Sequence, residues 1–169
     1  MANTTDQKLM TNDTNYHIDI QQASSMAMPV SDEELTCWAI TALKTHYQSA
    51  ELTLRLVDVD EITQLNDQYR KKNKKTNVLA FPAAHPEHVV LDYPFLGDVI
   101  LCPQVLEEES IASSQLLSHH WAHIVIHGVL HLMGYDHIQT DDEIKMQALE
   151  IELLKTLGIP NPYEADSIE

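Results

Sequence analysis

Residues 127–137 read HGVLHLMGYDH, and the rest of the chain can be arranged around this segment. Histidines four residues apart on a helix lie one turn apart on the same face, so His127 and His131 can bind one metal ion together. Gly134 can adopt the left-handed conformation that ends a helix, and the chain can then return His137 to the same ion. The segment therefore predicts a helix, a turn and a three-histidine metal site.

The three imidazoles indicate one zinc ion per chain and a catalytic centre. Three protein ligands leave the fourth position of a tetrahedral zinc open for water, as in catalytic sites. Zinc lowers the pKa of bound water and polarises a carbonyl or phosphoryl oxygen, so the spacing predicts a metal-dependent hydrolase. The competing interpretation is a chance grouping of histidines. It is disfavoured because two of the four glycines of the chain, Gly128 and Gly134, fall inside the segment.

The spacing HxxxHxxGxxH also occurs in zinc proteases, but one position argues against proteolysis. In those proteases a glutamate follows the first histidine and acts as the general base. Here that position is Gly128. Peptide hydrolysis by that mechanism is therefore disfavoured.

Hydrophobic patterning outside the segment predicts an α+β fold, with a small mixed sheet of about four strands packed against helices. Strands are predicted over residues 17–22, 51–59, 77–81 and 98–101. Helices are predicted from the cap Ser31 to His46, from the cap Asp60 to Tyr69, from 113–115 to 132, and over 141–157. The metal site then lies on a late helix and the turn after it.

The length of 169 residues predicts one metal-dependent hydrolase domain over residues 16–169. Residues 1–15 are polar and aperiodic, which predicts a disordered tail. A secretory signal and a membrane span are both missing from the sequence, so we expect a cytoplasmic protein without a membrane partner. Two cysteines without a CxxC motif suit a reducing compartment.

The formal net charge of −16 disfavours nucleic acid as a partner on charge alone. The distribution of charge qualifies this, because half of the ten basic residues lie in residues 70–75. They are Arg70, Lys71, Lys72, Lys74 and Lys75. This basic hexapeptide is either a polyanion site or a solvated loop that serves solubility.

The segment HGVLHLMGYDH resembles the signature of the YbeY family, bacterial metal-dependent endoribonucleases that act in ribosomal RNA maturation. The similarity continues in matching order through residues 65–70 (LNDQYR), 76–82 (TNVLAFP), 96–99 (LGDV) and 146–157. It covers nearly the whole chain beyond the tail. Family members often have serine where this chain has Ala80, a departure that concerns a polar contact and not the metal.

The resemblance implies zinc ligands at His127, His131 and His137, and a functionally important arginine at Arg70. If the substrate is RNA, Arg70 can pair bidentately with a phosphate and act as the catalytic residue that stabilises developing charge. The lysines of the basic hexapeptide would then bind the RNA backbone nearby. They are Lys71, Lys72, Lys74 and Lys75.

Three further residues are candidates for supporting the metal site. Asp98 and Asp136 could each orient a histidine ligand through a carboxylate–imidazole contact, although both also suit a turn. His123 lies four residues before His127 and could line the site, or it could be merely exposed.

The predicted function is a zinc-dependent endoribonuclease that cleaves single-stranded ribosomal RNA in maturation and ribosome quality control. Its partners would be RNA and ribosomal or assembly proteins. One alternative is a non-enzymatic ribosome-assembly factor with a structural zinc, which would lose fold stability on chelation. Another is a metal-dependent hydrolase of a different substrate.

Overall fold

The computed structural model describes residues 15–84, 94–136 and 139–164. The strands are β1 (Tyr16–Gln22), β2 (Ala50–Leu56), β3 (Val78–Pro82) and β4 (Phe95–Leu101). The helices are α1 (Asp32–Leu43), α2 (Val59–Arg70), α3 (Pro103–Ser113), α4 (Leu117–Leu132) and α5 (Thr140–Thr156). Residues 1–14 of the predicted tail and His137 lie outside these ranges. Among the helices in them, none combines the length and hydrophobicity needed to cross a bilayer.

The four strands form one mixed sheet in the order β1-β2-β4-β3. β2 pairs in parallel with both β1 and β4, whereas β3 pairs antiparallel with β4. The predicted α+β fold with a small mixed sheet is therefore confirmed. β3 is at the end of this order, so one of its edges pairs with no other strand in the described part of the chain.

Helices cover both faces of the sheet, and the alternation of side chains along the strands explains why. Val99 of β4 belongs to the large core with Trp121 of α4, and helices α1 and α5 contribute to the same core. The next residue, Ile100, points to the opposite face and packs with Ile62 of α2. The late helix α4 thus lies on one face of the sheet, and α2 lies on the other.

The predicted start of α1 is confirmed, whereas that of α2 is corrected by two residues. Ser31 accepts a hydrogen bond from the backbone N–H of Glu34 and forms a complete capping box with it. The cap of α2 is Asp58, not Asp60. Its carboxylate makes no cap hydrogen bond, because it accepts hydrogen bonds from Ser24 and from Gln104.

Helix α3 was not predicted from the sequence. A proline two residues after the strand predicted over residues 98–101 is typical of a strand end, but Pro103 also begins the helix. Proline is well suited to a first helical position, where its missing N–H has no partner to lose. Leu106 is fully buried in the same core as Trp121 of α4, and the helix carries the acidic residues 107–109.

Candidate metal centre

Helix α4 brings two of the three predicted ligands together. His127 and His131 are one turn apart, and their rings lie 4.6 Å from centroid to centroid. Their Nε2 atoms are 3.2 Å from each other. Two nitrogens that each lie about 2.0–2.1 Å from a tetrahedral zinc are separated by about 3.3 Å, so the two rings suit a shared ion.

The turn after α4 has the conformation that the sequence predicted. Gly134 has φ +102°, and its N–H donates to the carbonyl of His131. Tyr135 then lies next to His46, with the Tyr135 hydroxyl 2.6 Å from His46 Nε2. The predicted third ligand, His137, is two residues after Tyr135 in the sequence. It is outside the described residues, so its role stays a prediction.

A buried carboxylate that the sequence reasoning missed lies behind the two histidines. Glu150 of α5 has no exposed surface. Its Oε2 is 2.9 Å from His127 Nδ1, and its Oε1 is 2.6 Å from His123 Nε2 and also accepts from the Tyr163 hydroxyl. A buried charge is stable only when it is paired or hydrogen-bonded, and three donors satisfy this carboxylate.

The pKa values of this group are shifted by burial and hydrogen bonding. Burial alone would raise the pKa of Glu150, but the hydrogen bonds from His123 and His127 outweigh it and lower that pKa to about 2. Burial raises the pKa of Tyr163, and the neighbouring carboxylate raises it further. At neutral pH Glu150 is therefore a carboxylate and Tyr163 is a hydroxyl that donates to it.

Two sets of residues in this region could hold a metal ion. The donor atoms of His123, His127 and Glu150 lie within 4.8 Å of one another, which would suffice for a site. However, the Glu150 oxygens already lie at hydrogen-bond distance from nitrogens of both histidines. Ligating histidines commonly donate their second N–H to a carboxylate in this manner. The geometry therefore favours a metal on the His131 side of His127.

A cavity of about 790 Å³ lies in front of the histidines and joins them to β3. His127, His131 and Asp136 line one wall, and Arg70 lies on the lining from the end of α2. The other wall is formed by residues 76–82, which include β3. The cavity thus unites the predicted catalytic arginine with two predicted metal ligands, although they are far apart in the sequence.

The walls of the cavity approach closely because of one glycine. A Cβ atom added to Gly128 would lie 2.7 Å from a methyl group of Val99 and 3.1 Å from one of Val78. Such distances are shorter than van der Waals contact, so a larger residue would push α4 away from the sheet. Ala80 also lines the cavity, where it presents a methyl group instead of the hydroxyl of serine.

The basic hexapeptide forms an exposed loop beside the cavity. Lys71 ends α2 in the left-handed conformation, with φ 58°. The buried side chain of Asn66 donates to the carbonyl of Lys74 and so shapes the loop from inside. Lys75 is paired with Glu108 at 2.8 Å, an exposed ion pair of little energetic value. The remaining predicted cations project into solvent next to Arg70.

The three residues predicted to support the site have different positions. Asp136 lines the cavity with the histidines, and His123 contacts His127 through Glu150 without lining the cavity. Asp98 is on the other face of the sheet, because its neighbour Val99 faces α4. It lines a separate cavity of about 560 Å³ with Arg55. Among the described residues, Asp98 therefore does not line the cavity that contains His127 and His131.

Glu150 could have been found from the sequence. The buried face of α5 includes Met146, Leu153 and Leu154, and Glu150 lies four residues after the first and three before the second. A carboxylate on the apolar stripe of a helix needs partners inside the protein. The histidines of α4 were the obvious candidates.

Known proteins resemble this chain over most of its length. The family model described as Endoribonuclease YbeY matches residues 10–158. A protein of Legionella pneumophila (strain Corby) named Endoribonuclease YbeY is 54% identical over 154 residues, which are 91% of this chain and 98% of the relative. One of Pseudomonas putida (strain W619) with the same name is 48% identical over 149 residues, 88% of this chain and 94% of the relative. The solution structure of TM1509 from Thermotoga maritima superposes with a TM-score of 0.52 at 25% identity, over 82% of this chain and 91% of that one.

Proposed function

Because this chain belongs to the YbeY family of endoribonucleases, we propose that it is a zinc-dependent enzyme that cleaves single-stranded ribosomal RNA. We place this activity in ribosome maturation and quality control, in the cytoplasm. The observation that carries the proposal is the cavity shared by Arg70, His127 and His131. It combines a cation suited to a phosphate with two imidazoles suited to a metal.

The histidines of α4 and the turn would hold the zinc. His127 and His131 offer nitrogens that are 3.2 Å apart, and His137 is the proposed third ligand. When bound, zinc supplies Lewis-acid polarisation of a phosphoryl oxygen and a nucleophilic water at neutral pH. Asp136 lies beside these ligands, and we propose that it helps to orient them.

Arg70 is the proposed catalytic residue, and it lines the same cavity as His127 and His131. Its planar guanidinium can donate two parallel hydrogen bonds to a phosphate and stabilise the charge that develops on the phosphoryl oxygens. Its exposure at the end of α2 leaves it accessible to a large substrate. We therefore expect Arg70 to stabilise the transition state and not to hold the fold.

The surroundings of Arg70 favour a single strand. Tyr69 is 60% exposed, lines the cavity and is supported by Phe81 at 4.8 Å between ring centroids. An exposed aromatic ring next to a cation can stack on an unpaired base while the cation binds the backbone. The lysines of the basic hexapeptide extend the backbone contact. They are Lys71, Lys72, Lys74 and Lys75.

The experiment that tests the proposal compares wild type with Arg70→Ala and Arg70→Lys. Each protein is assayed for metal content and for cleavage of one RNA, offered either single-stranded or annealed to its complement. We expect equal metal in all three proteins and little cleavage of the duplex. On the single strand, cleavage should fall about 100-fold or more in Arg70→Ala, with partial recovery in Arg70→Lys. Equal cleavage by wild type and Arg70→Ala would contradict the proposed role.

Adding a chelator to the wild-type protein in this assay separates an enzyme from an assembly factor with a structural zinc. The relatives named above are endoribonucleases, which favours the enzyme. A structural zinc would be needed for folding, so chelation would unfold the chain as well as stop cleavage. We expect chelation to stop cleavage and to leave the circular dichroism spectrum near that of the metal-loaded protein.

A further inference from the structure

We propose that Glu150 is a positioning residue for the metal centre, and that it fixes the orientation and tautomer of His127 so that Nε2 faces the metal. This proposal rests on the proposed function, because it takes His127 and His131 as zinc ligands. It adds a residue of α5 to a centre that the sequence motif confines to α4 and the following turn.

The position of the Glu150 carboxylate decides which ring nitrogen of His127 bears a proton. A carboxylate only accepts hydrogen bonds, so the His127 Nδ1 atom that lies 2.9 Å from Glu150 Oε2 must carry the proton. In the neutral imidazole, the Nε2 atom on the other side of the same ring then has the lone pair. That atom is 3.2 Å from His131 Nε2, on the side where the rings line the cavity.

The second oxygen of Glu150 explains why the carboxylate can hold a ring in place. Oε1 is 2.6 Å from His123 Nε2, and it accepts from Tyr163, whose own backbone N–H donates to Asn161 at 2.8 Å. Two donors, His123 of α4 and Tyr163 after α5, thus hold one oxygen of a fully buried carboxylate. Because this carboxylate cannot rotate, its second oxygen, Oε2, faces His127 in one direction only.

A comparable carboxylate–imidazole pair, Glu109 of α3 and His120 of α4, provides the matched control. His120 Nε2 is 2.9 Å from Glu109 Oε1, and His120 is buried. This contact has the same chemistry as the Glu150–His127 contact, but Glu109 and His120 do not line the cavity among the residues that the structure describes. A general loss of stability should therefore follow from changing either glutamate, whereas a loss of metal affinity should follow only from Glu150.

The test measures zinc affinity by competition with a chromogenic chelator, together with the visible spectrum of the Co²⁺-substituted protein. Glu150→Gln should weaken zinc binding about 10–100-fold and shift the Co²⁺ spectrum. Glu109→Gln should do neither, and Tyr163→Phe should have a smaller effect than Glu150→Gln. Unchanged zinc affinity in a folded Glu150→Gln would overturn the proposal. Cleavage that still depends on Arg70 in that variant would leave the proposed function intact.

Two further measurements keep the proposal testable if Glu150→Gln does not fold. In zinc-loaded wild type, long-range ¹H–¹⁵N spectra of the histidine rings should show a proton on His127 Nδ1 and metal on Nε2; the opposite assignment would overturn it. His123→Ala should keep one equivalent of zinc, and His131→Ala should lose it. The reverse pattern would make His123, His127 and Glu150 the ligands, and Glu150 would no longer be a positioning residue.

Discussion

At the scale of single residues, the separation between α4 and the sheet depends on the missing side chain of Gly128. The position lies between two proposed ligands in the sequence and against Val99 and Val78 in space. A larger residue would move the helix that carries His127 and His131 relative to the wall that faces them. The glycine therefore sets the width of the cavity as well as the packing.

We predict that Gly128→Ala is less favourable in wild type than in a Val99→Ala background, by about 1–3 kcal/mol in the free energy of unfolding. Alanine is about 1 kcal/mol better than glycine in a helix, and this gain should appear only when Val99 no longer collides with the new Cβ. Urea unfolding of the two single variants and the double variant measures the coupling. Equal effects of Gly128→Ala in both backgrounds would show that the close approach has no energetic consequence.

Residue identities predicted the shared helix face of His127 and His131 better than they predicted which residues surround these histidines. The histidine spacing and Gly134 describe local geometry, because one turn of helix fixes which side chains are neighbours. The position of Asp98 depends on which elements pack together, which a single sequence does not state, whereas the sequence does show Glu150 on the apolar stripe of α5. Asp98 was a candidate for supporting the metal site or for a turn, and the alternation along β4 directs it to the face opposite Val99. A prediction of the sheet order would have been needed to see this.

At the scale of elements, the carboxylate of Asp58 links three segments. It accepts hydrogen bonds from Ser24 after β1, from the backbone N–H of Ser25, and from Gln104 in α3. The hydrogen bond from Ser24 is the largest of the effects that hold the pKa of Asp58 below its ordinary value of 3.8. Asp58 is therefore a carboxylate that connects α2 to its neighbours.

This shift predicts how stability depends on pH. A carboxyl group whose pKa is lower in the folded chain stabilises the fold above its unfolded pKa, and loses that effect as the pH falls towards the folded pKa. The difference in free energy of unfolding between wild type and Asp58→Ala should thus be constant near neutrality and shrink below pH 3.8. Urea unfolding at a series of pH values measures it. A difference that grows on acidification would contradict the assignment.

The carboxyl carbon of Asp58 offers a direct check by NMR. Ser24→Ala keeps the carboxylate but removes its strongest hydrogen bond, so the pKa of Asp58 should rise towards 3.8 in that variant. An identical titration in wild type and Ser24→Ala would show that this hydrogen bond does not stabilise the charged form.

The starts of the helices show which structural features can be predicted from local sequence patterns. The capping box of Ser31 and Glu34 is a local pattern, so the start of α1 could be predicted. The cap of α2 was placed two residues late because Asp58 and Asp60 are both plausible caps, and only tertiary contacts decide between them. Helix α3 was missed because Pro103 has two roles. Its place in the first turn becomes recognisable only when Val105 and Leu106 are seen to be buried.

At the scale of the whole molecule, a strongly acidic chain must bind RNA through a small region. The net charge is −16, and half of the ten basic residues lie in residues 70–75. This region borders the cavity, and of its five cations Lys75 is paired with an acidic residue of α3, Glu108. RNA should therefore be attracted to the cavity and repelled from most of the remaining surface.

We predict a moderate salt dependence of RNA binding. Each phosphate neutralised on a single strand contributes about 0.7 to the slope of log affinity against log salt, so about four contacts from Arg70, Lys71, Lys72 and Lys74 give a slope near −3. Fluorescence anisotropy with a labelled RNA measures it. The double variant Lys71→Gln/Lys72→Gln should reduce the slope by about 1.4, and Lys155→Gln at the end of α5 should not change it. A slope unaffected by the double variant would place the RNA elsewhere.

The metal content of His131→Ala, set beside wild type and the control His119→Ala, tests the three-histidine centre most directly. Elemental analysis and RNA cleavage are measured on the same samples. Wild type and His119→Ala should each hold about one zinc per chain and cleave RNA equally, whereas His131→Ala should lose most of the metal and the cleavage together. A full equivalent of zinc in His131→Ala, or cleavage that survives without metal, would contradict the proposed centre.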